Sequence, residues 1–125
     1  MMKKILIVDD EPAMSRFVKE ILTEHKGLSV ESALNGRECL EKIKKGAQYD
    51  LILMDIMMPG MDGYELSSRL KSSSGNFRQK ILFYSVLPEE TIIAKMGDSG
   101  ADGYISKSGD PEALLHRVVK ELGLD

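Results

Sequence analysis

The chain of 125 residues has the length of one ordinary domain, and its hydrophobic content of 42% is enough to build a single core. Its 17 basic and 20 acidic residues give a net charge of -3 and are mixed along the chain, which argues against direct nucleic acid binding and against binding to an anionic membrane surface. The apolar run before Asp9 is too short for a signal peptide or a membrane span, so we expect one cytoplasmic domain over residues 1–125 with no membrane partner.

The first half of the chain alternates between apolar runs of strand length and amphipathic helical segments. ILIV at 5–8 is β-branched and suits a strand that is covered on both faces. Apolar residues at helical spacing follow from Pro12, and Gly27 supplies a stop signal. LSVESA at 28–33 is a more polar strand, which predicts an edge position in the sheet, and Asn35 is a candidate cap for a second helix.

The most apolar strand ends on a charged residue. LILM at 51–54 runs directly into Asp55, and the turn-rich segment PGMDG follows at 59–63. We expect Gly60 and Gly63 to adopt positive φ in this turn, because glycine does so at little cost. A third helix is predicted to begin at Gly63.

The second half of the chain repeats the alternation. After a predicted loop at 72–76, KILFYS at 80–85 gives a fourth strand. PEETIIAKM at 88–96 gives a fourth helix whose proline is expected near the first helical position. DGYIS at 102–106 gives a fifth strand, and Asp110 is a candidate cap for the last helix.

Polar side chains follow four of the five predicted strands. Five strands that alternate with five helices predict an α/β fold with a parallel sheet and helices on both faces, and the ligands of such sheets bind beyond the carboxyl ends of the strands. The residues predicted at these ends are Asp9, Asp10, Asp55, Ser85 and Lys107. Three carboxylates at one edge repel each other, which indicates a hard divalent cation such as Mg²⁺ between them.

Together these residues resemble the receiver domains of two-component response regulators. The resemblance rests on VDDE at 8–11, LMDIMMPGMDG at 53–63, Ser85, Tyr104 and Lys107, and it covers essentially the whole chain. It implies a flavodoxin-like, doubly wound (βα)5 three-layer sandwich with parallel strand order 2-1-3-4-5.

The resemblance also implies a phosphorylation chemistry. Asp55 would accept a phosphoryl group from the phosphohistidine of a sensor histidine kinase or phosphotransfer protein, or from a small phosphodonor. Mg²⁺, or Mn²⁺, would be bound directly by Asp10, Asp55 and the backbone carbonyl of Met57, with Asp9 acting through a bound water. Such a protein is a switch and catalyses only its own phosphorylation and dephosphorylation.

Three further residues receive roles by the same resemblance. Lys107 would pair with Asp55 at rest and contact the phosphoryl oxygens afterwards, and Ser85 would donate its hydroxyl to them. Tyr104 would be the switch residue that turns inward when Ser85 engages phosphate. The surface of strand 4, helix 4, strand 5 and helix 5 would then change, control an output effector domain or protein, and offer a face for a homodimer.

Two positions depart from the family pattern. Ser108 stands where proline commonly follows the lysine, and a cis peptide before a non-proline residue costs about 2.5 to 4 kcal/mol, so the resemblance does not fix the isomer of the Lys107 to Ser108 bond. Val86 stands where the family commonly has a smaller residue. It is expected to narrow access to the phosphoryl group and to slow phosphoryl turnover.

Three other functions remain open on the sequence. A small Mg²⁺-dependent aspartyl phosphatase or phosphotransferase would use the same nucleophile, but it commonly carries a D-x-D motif and a cap, whereas Asp9 and Asp10 are adjacent here. A flavin-binding module shares the strand order, but the DDEP segment at 9–12 places negative charge where phosphate would bind. A degenerate receiver would bind partners without phosphorylation.

Overall fold

A computed structural model describes residues 2–73, 77, 79–107 and 109–124. Its five strands form one parallel sheet of order β2-β1-β3-β4-β5, which confirms the predicted α/β fold and strand order. The strands are β1 Lys3–Val8, β2 Leu28–Ala33, β3 Leu51–Met54, β4 Lys80–Ser85 and β5 Gly103–Ser106. The helices are α1 Pro12–Leu22, α2 Gly36–Lys44, α3 Gly63–Ser72, α4 Glu89–Ser99 and α5 Pro111–Glu121.

The sheet separates two hydrophobic clusters, because successive side chains of a strand point to opposite faces. Ile5 and Ile7 of β1 pack in the cluster under α1 and α5, whereas Leu6 and Val8 pack in the cluster under α2, α3 and α4. Burying one such side chain contributes about 1.5 to 3 kcal/mol. A strand in which successive residues are all apolar, such as β1, is therefore covered on both faces. The more polar β2 lies at an edge of the sheet, as predicted.

Three helices begin at side-chain caps. Asn35 accepts a hydrogen bond from the amide of Glu38, and Asp110 accepts one from the amide of Ala113, so both predicted caps are confirmed. Asp62 caps α3 in the same way. Pro88 lies next to the first helical position, as expected: it is the N-cap, with an extended ψ of 146°, and α4 begins one residue later.

The glycines of the loop after β3 serve different purposes. Gly60 has a φ of +81°, as expected. The same expectation for Gly63 was wrong, because its φ is not positive. Glycine is required there for another reason: a Cβ would lie 2.5 Å from the carbonyl oxygen of Asp55 and 2.8 Å from the Cα of Ile56. The amide of Gly63 also donates to the carbonyl of Ile56 over 2.8 Å. Gly63 is therefore needed for close packing of α3 against the end of β3.

Two predicted segments differ slightly from the structure. The predicted loop at 72–76 begins later, because Ser72 ends α3, and residues 74–76 lie outside the described residues. The fifth strand begins at Gly103 rather than Asp102. Within the described residues, no helix is both long enough and apolar enough to cross a membrane.

Candidate functional site

The carboxyl ends of β1 and β3 bring three aspartates together. Val8 pairs with Met54 in the parallel register, so Asp9 and Asp55 follow neighbouring strands at the same level. The amide of Asp55 extends this ladder by donating to the carbonyl of Val8 over 2.9 Å. Oxygens of Asp9, Asp10 and Asp55 all lie within 4.8 Å of one another, so the structure gathers the predicted carboxylates at one point.

Lys107 reaches this point from the end of β5. Its amide donates to the carbonyl of Ser85 over 2.9 Å, which places it at the same edge of the sheet. Its Nζ lies 3.4 Å from Oδ1 of Asp55 and 3.2 Å from Oδ2 of Asp9. The expected pair with Asp55 is present, and the contact with Asp9 was missed by the sequence reasoning, which assigned Asp9 only a metal-bound water.

The pKa values at this site reflect burial and an unequal number of charges. The pKa of Asp55 is raised, chiefly because burial disfavours the carboxylate and because Asp9 is close, although Lys107 and the amide of Ile56 oppose the shift. Burial alone would lower the pKa of Lys107, but Asp55 and Asp9 outweigh it and the pKa is raised. The lysine therefore carries its charge at neutral pH.

Ser85 and Tyr104, the two predicted switch residues, lie on the neighbouring strands β4 and β5. Ser85 is buried at the end of β4, and its Oγ accepts a hydrogen bond from the amide of Leu87 over 3.1 Å. Tyr104 packs its ring against the cluster under α2, α3 and α4, and its hydroxyl donates to the carboxylate of Glu89 in the first turn of α4. The Glu89 contact was missed because it depends on how the first turn of α4 packs beside β5, which the spacing of the two residues does not indicate. The roles of Ser85 and Tyr104 toward phosphate stay predictions.

The donors at the site fit a hard cation. Both oxygens of Asp9 are engaged, one by the amide of Glu11 at 2.9 Å and the other by Lys107, which suits contact with a cation through water. Within the described residues, the carboxylate of Asp10 has no hydrogen bond or ion pair and is available as a ligand. Met57 has a solvent-exposed side chain, and the role of its backbone carbonyl stays a prediction.

The two departures from the family pattern have different outcomes. Val86 is 71% exposed, and its effect on access to Asp55 stays a prediction. Ser108 lies outside the described residues, so the expectation about the Lys107 to Ser108 peptide is not addressed by the structure.

Comparison with known proteins identifies the family. A sequence model of the response regulator receiver domain matches residues 5–119. The receiver domain of the Francisella response regulator 1452 superposes with a TM-score of 0.84 at 30% identity, covering 97% of both chains. The chain therefore belongs to the response regulator receiver domain family, whose members act in two-component signal transduction.

Curated relatives share this segment within longer proteins. A gliding motility regulatory protein from Myxococcus xanthus is 38% identical over 95% of this chain and 15% of its own length. The transcriptional regulatory protein PcoR from Escherichia coli is 36% identical over 94% of this chain and 50% of its own length. The chain thus spans half or less of the length of these two relatives.

Proposed function

We propose that residues 1–125 act as a receiver in which Asp55 accepts a phosphoryl group from the phosphohistidine of a sensor histidine kinase or phosphotransfer protein. The observation that carries this proposal is the buried contact of Lys107 with both Asp55 and Asp9, beside a third carboxylate. A structural ion pair would need one carboxylate for one lysine. Three carboxylates instead form a site that requires additional positive charge and suits an incoming phosphoryl group.

The geometry supports a direct displacement. The amide of Ile56 holds Oδ1 of Asp55 at 2.9 Å and so fixes the orientation of the carboxylate. An Asp55 oxygen forms a bond to phosphorus while the bond from phosphorus to the donor imidazole breaks, and the imidazole keeps that electron pair. Lys107 neutralises charge on the transferred oxygens. Hydrolysis of the resulting acyl phosphate by water returns Asp55 and releases phosphate, so the only reactions catalysed are those of its own acyl phosphate.

The proposed metal is Mg²⁺, with Mn²⁺ as a chemically similar substitute. Asp10, Asp55 and the backbone carbonyl of Met57 would hold it directly, and Asp9 would contact it through water. When bound, it supplies positive charge that lowers the repulsion between these carboxylates and the phosphoryl oxygens.

Phosphorylation of Asp55 is proposed to change the conformation of the protein through Ser85 and Tyr104. Ser85 donates its hydroxyl to the phosphoryl group, Tyr104 turns inward, and the surface of β4, α4, β5 and α5 changes. That surface would contact an output effector domain or protein, or a second copy of the chain. The proposal places the chain in the cytoplasm, where kinases have access to ATP.

The competing functions have less support. Membership of the receiver family does not favour the phosphatase reading, and Asp9 and Asp10 occupy the loop in which a flavin phosphate would have to bind. A receiver that is never phosphorylated would have no use for the lysine contact with Asp55. These points favour the phosphoacceptor switch.

Intact mass spectrometry after incubation with acetyl phosphate tests the proposal. We expect one added phosphoryl group per chain with Mg²⁺, almost none without it, and none in Asp55→Asn. Asp98→Asn is the control, because Asp98 is an exposed carboxylate on α4 and should leave phosphorylation unchanged. An unmodified wild type, or equal modification of Asp55→Asn, would refute the proposal, and steady turnover of a phosphomonoester in large excess would support the phosphatase instead.

A further inference from the structure

An aromatic ring lies beneath the lysine of the site. Tyr84 immediately precedes Ser85 on β4, is only 6% exposed, and belongs to the cluster under α1 and α5. The Nζ of Lys107 lies over this ring, 5.5 Å from its centroid. Cations within about 6 Å of a ring centroid are attracted to the negative face of the ring.

The register of the sheet explains why these two residues meet. Tyr84 pairs with Ile105 across the parallel strands β4 and β5, so both side chains point to the face covered by α1 and α5. Lys107 is two residues beyond Ile105 and therefore points to that same face. Asp9 and Asp55 continue this face beyond β1 and β3, since they are two residues beyond Ile7 and Leu53.

The surroundings of Lys107 make the ring contact important. Its side chain is 8% exposed, so water has little access, and attraction between a cation and a ring is stronger when both are desolvated. Lysine is a flexible point charge on a four-carbon stem, so its contacts determine where the ammonium group rests. Here those contacts are Asp9, Asp55 and the Tyr84 ring.

We propose that Tyr84 is a positioning residue for phosphoryl transfer and acts through Lys107. This inference rests on the proposed function of Asp55. The ring attracts the ammonium group without supplying another anionic acceptor, so it holds Lys107 at the site and leaves its charge available to the phosphoryl oxygens. A leucine at this position would fill similar space but would offer no π face.

Two substitutions separate the ring from the rest of the side chain. Tyr84→Phe keeps the π face and removes the hydroxyl, whereas Tyr84→Leu keeps apolar burial and removes the face. With acetyl phosphate and Mg²⁺, we expect Tyr84→Leu to be phosphorylated about tenfold more slowly than wild type, within the range of a desolvated cation–π contact. Tyr84→Phe should retain nearly the wild-type rate. An equal loss in both variants would overturn the inference.

A double-mutant cycle distinguishes positioning from general stability. In a Lys107→Ala background, Tyr84→Leu should cause little further loss of rate, because the residue it positions is absent. An unchanged tenfold loss in that background would indicate a purely structural role and overturn the inference. Phe83→Leu is the matched control, since Phe83 is a buried aromatic of β4 that packs in the other cluster. It should not slow phosphorylation when assayed under conditions in which the protein is folded.

NMR of the unphosphorylated wild type tests the contact directly and does not depend on a phosphorylation rate. The side-chain protons of Lys107 near Nζ should be shifted upfield by the Tyr84 ring relative to those of the other lysines, and Tyr84→Phe should keep this shift. A normal shift for Lys107 would overturn the inference even if Asp55 is phosphorylated. If the ring shift is present but wild type is never phosphorylated, the proposed function fails and the positioning role fails with it.

Discussion

Two clusters of charge in this molecule have opposite electrostatic character. The acidic rim comprises Asp9, Asp10, Asp55 and Lys107, with three carboxylates for one lysine. The Glu31 cluster comprises Glu31, Tyr49, Lys4 and Lys42. There one carboxylate accepts a hydrogen bond from the Tyr49 hydroxyl at 2.8 Å and lies within 3.4 Å and 3.7 Å of two lysines.

The pKa shifts of the two clusters follow from this difference. The pKa of Glu31 is lowered, first by the Tyr49 hydrogen bond and then by the two lysines, which outweigh its partial burial. The pKa of Asp55 is raised by burial and by Asp9 despite the nearby Lys107. The carboxylate of Glu31 therefore adds stability at neutral pH, whereas the carboxylate of Asp55 costs stability even though it is one of the groups that favour the charged form of Lys107.

The largest effect is expected when the rim is distorted without any change in its charges. Gly63→Ala would place a Cβ 2.5 Å from the Asp55 carbonyl oxygen, and we expect a loss of about 3 kcal/mol in the free energy of unfolding. Gly97→Ala in α4 is the matched control, because its Cβ would meet nothing within 4 Å, and it should be neutral or stabilising. Urea denaturation measures both, and equal stability of the two variants would contradict the packing described for Gly63.

The next effect concerns phosphorylation and compares lysines from the two clusters. Lys107→Ala should slow phosphorylation by acetyl phosphate about 100-fold, the usual cost of losing one preorganised charge at a reacting centre. Lys42→Ala should leave the rate unchanged because the ammonium group of Lys42 pairs with Glu31 and not with the acidic rim. Rates from intact mass time courses provide the measurement. Similar rates for Lys107→Ala and Lys42→Ala would remove the functional distinction between the clusters.

A smaller effect tests whether the carboxylates of Asp55 and Glu31 change the free energy of unfolding in opposite directions. Without Mg²⁺ at pH 7, Asp55→Asn should raise the free energy of unfolding by about 1 kcal/mol, because a buried and repelled charge is removed. Glu31→Gln should lower it by about 0.5 kcal/mol, a modest loss because the Glu31 side chain is 40% exposed and screened by water. Thermal or urea denaturation would reveal both, and changes of the same sign would contradict the comparison.

The smallest effect is the pH dependence of the stability changes caused by Asp55→Asn and Glu31→Gln. The pKa of Glu31 is lowered below 4.5, so its stabilisation is fully present above pH 4.5 and is lost as the pH falls through the folded-state pKa. The pKa of Asp55 is raised above 3.8, so its cost is fully present above that raised pKa and has disappeared below pH 3.8. As the pH falls, the extra stability of Asp55→Asn and the reduced stability of Glu31→Gln should therefore both shrink toward the wild-type value. Differences that persist unchanged at low pH would point to packing rather than charge.

The bounds of several elements could be predicted because local chemistry determines them. The predicted bounds of β2, β3 and β4 agree with the structure. The reason is clearest for β3, whose apolar run is bordered by Asp50 and Asp55. The three clustered carboxylates were also predictable, because the carboxyl ends of parallel strands share one edge. The pair between Lys107 and Asp55 was predicted from the resemblance to the receiver family.

The failures share a physical cause. Gly63 was assigned a positive φ because the contact that requires glycine, with the Asp55 carbonyl, exists only after α3 packs against β3. The contacts of Lys107 with Asp9 and with the Tyr84 ring depend on side-chain direction across strands that are distant in sequence. Spacing along the chain indicates which strand ends meet, but the partners of each side chain there depend on register and rotamer.

The hydrogen bond from Gly63 to Ile56 also constrains how this protein can be changed. It closes residues 57–62 into a loop whose two ends are held together beside Asp55. A replacement of equal length could carry different side chains to solvent and leave the acceptor aspartate in place. Adding a single residue would strain that closure, tilt α3 and misalign Asp55, so substitution of an exposed side chain such as Met57 should be tolerated far better than a change in the length of the segment.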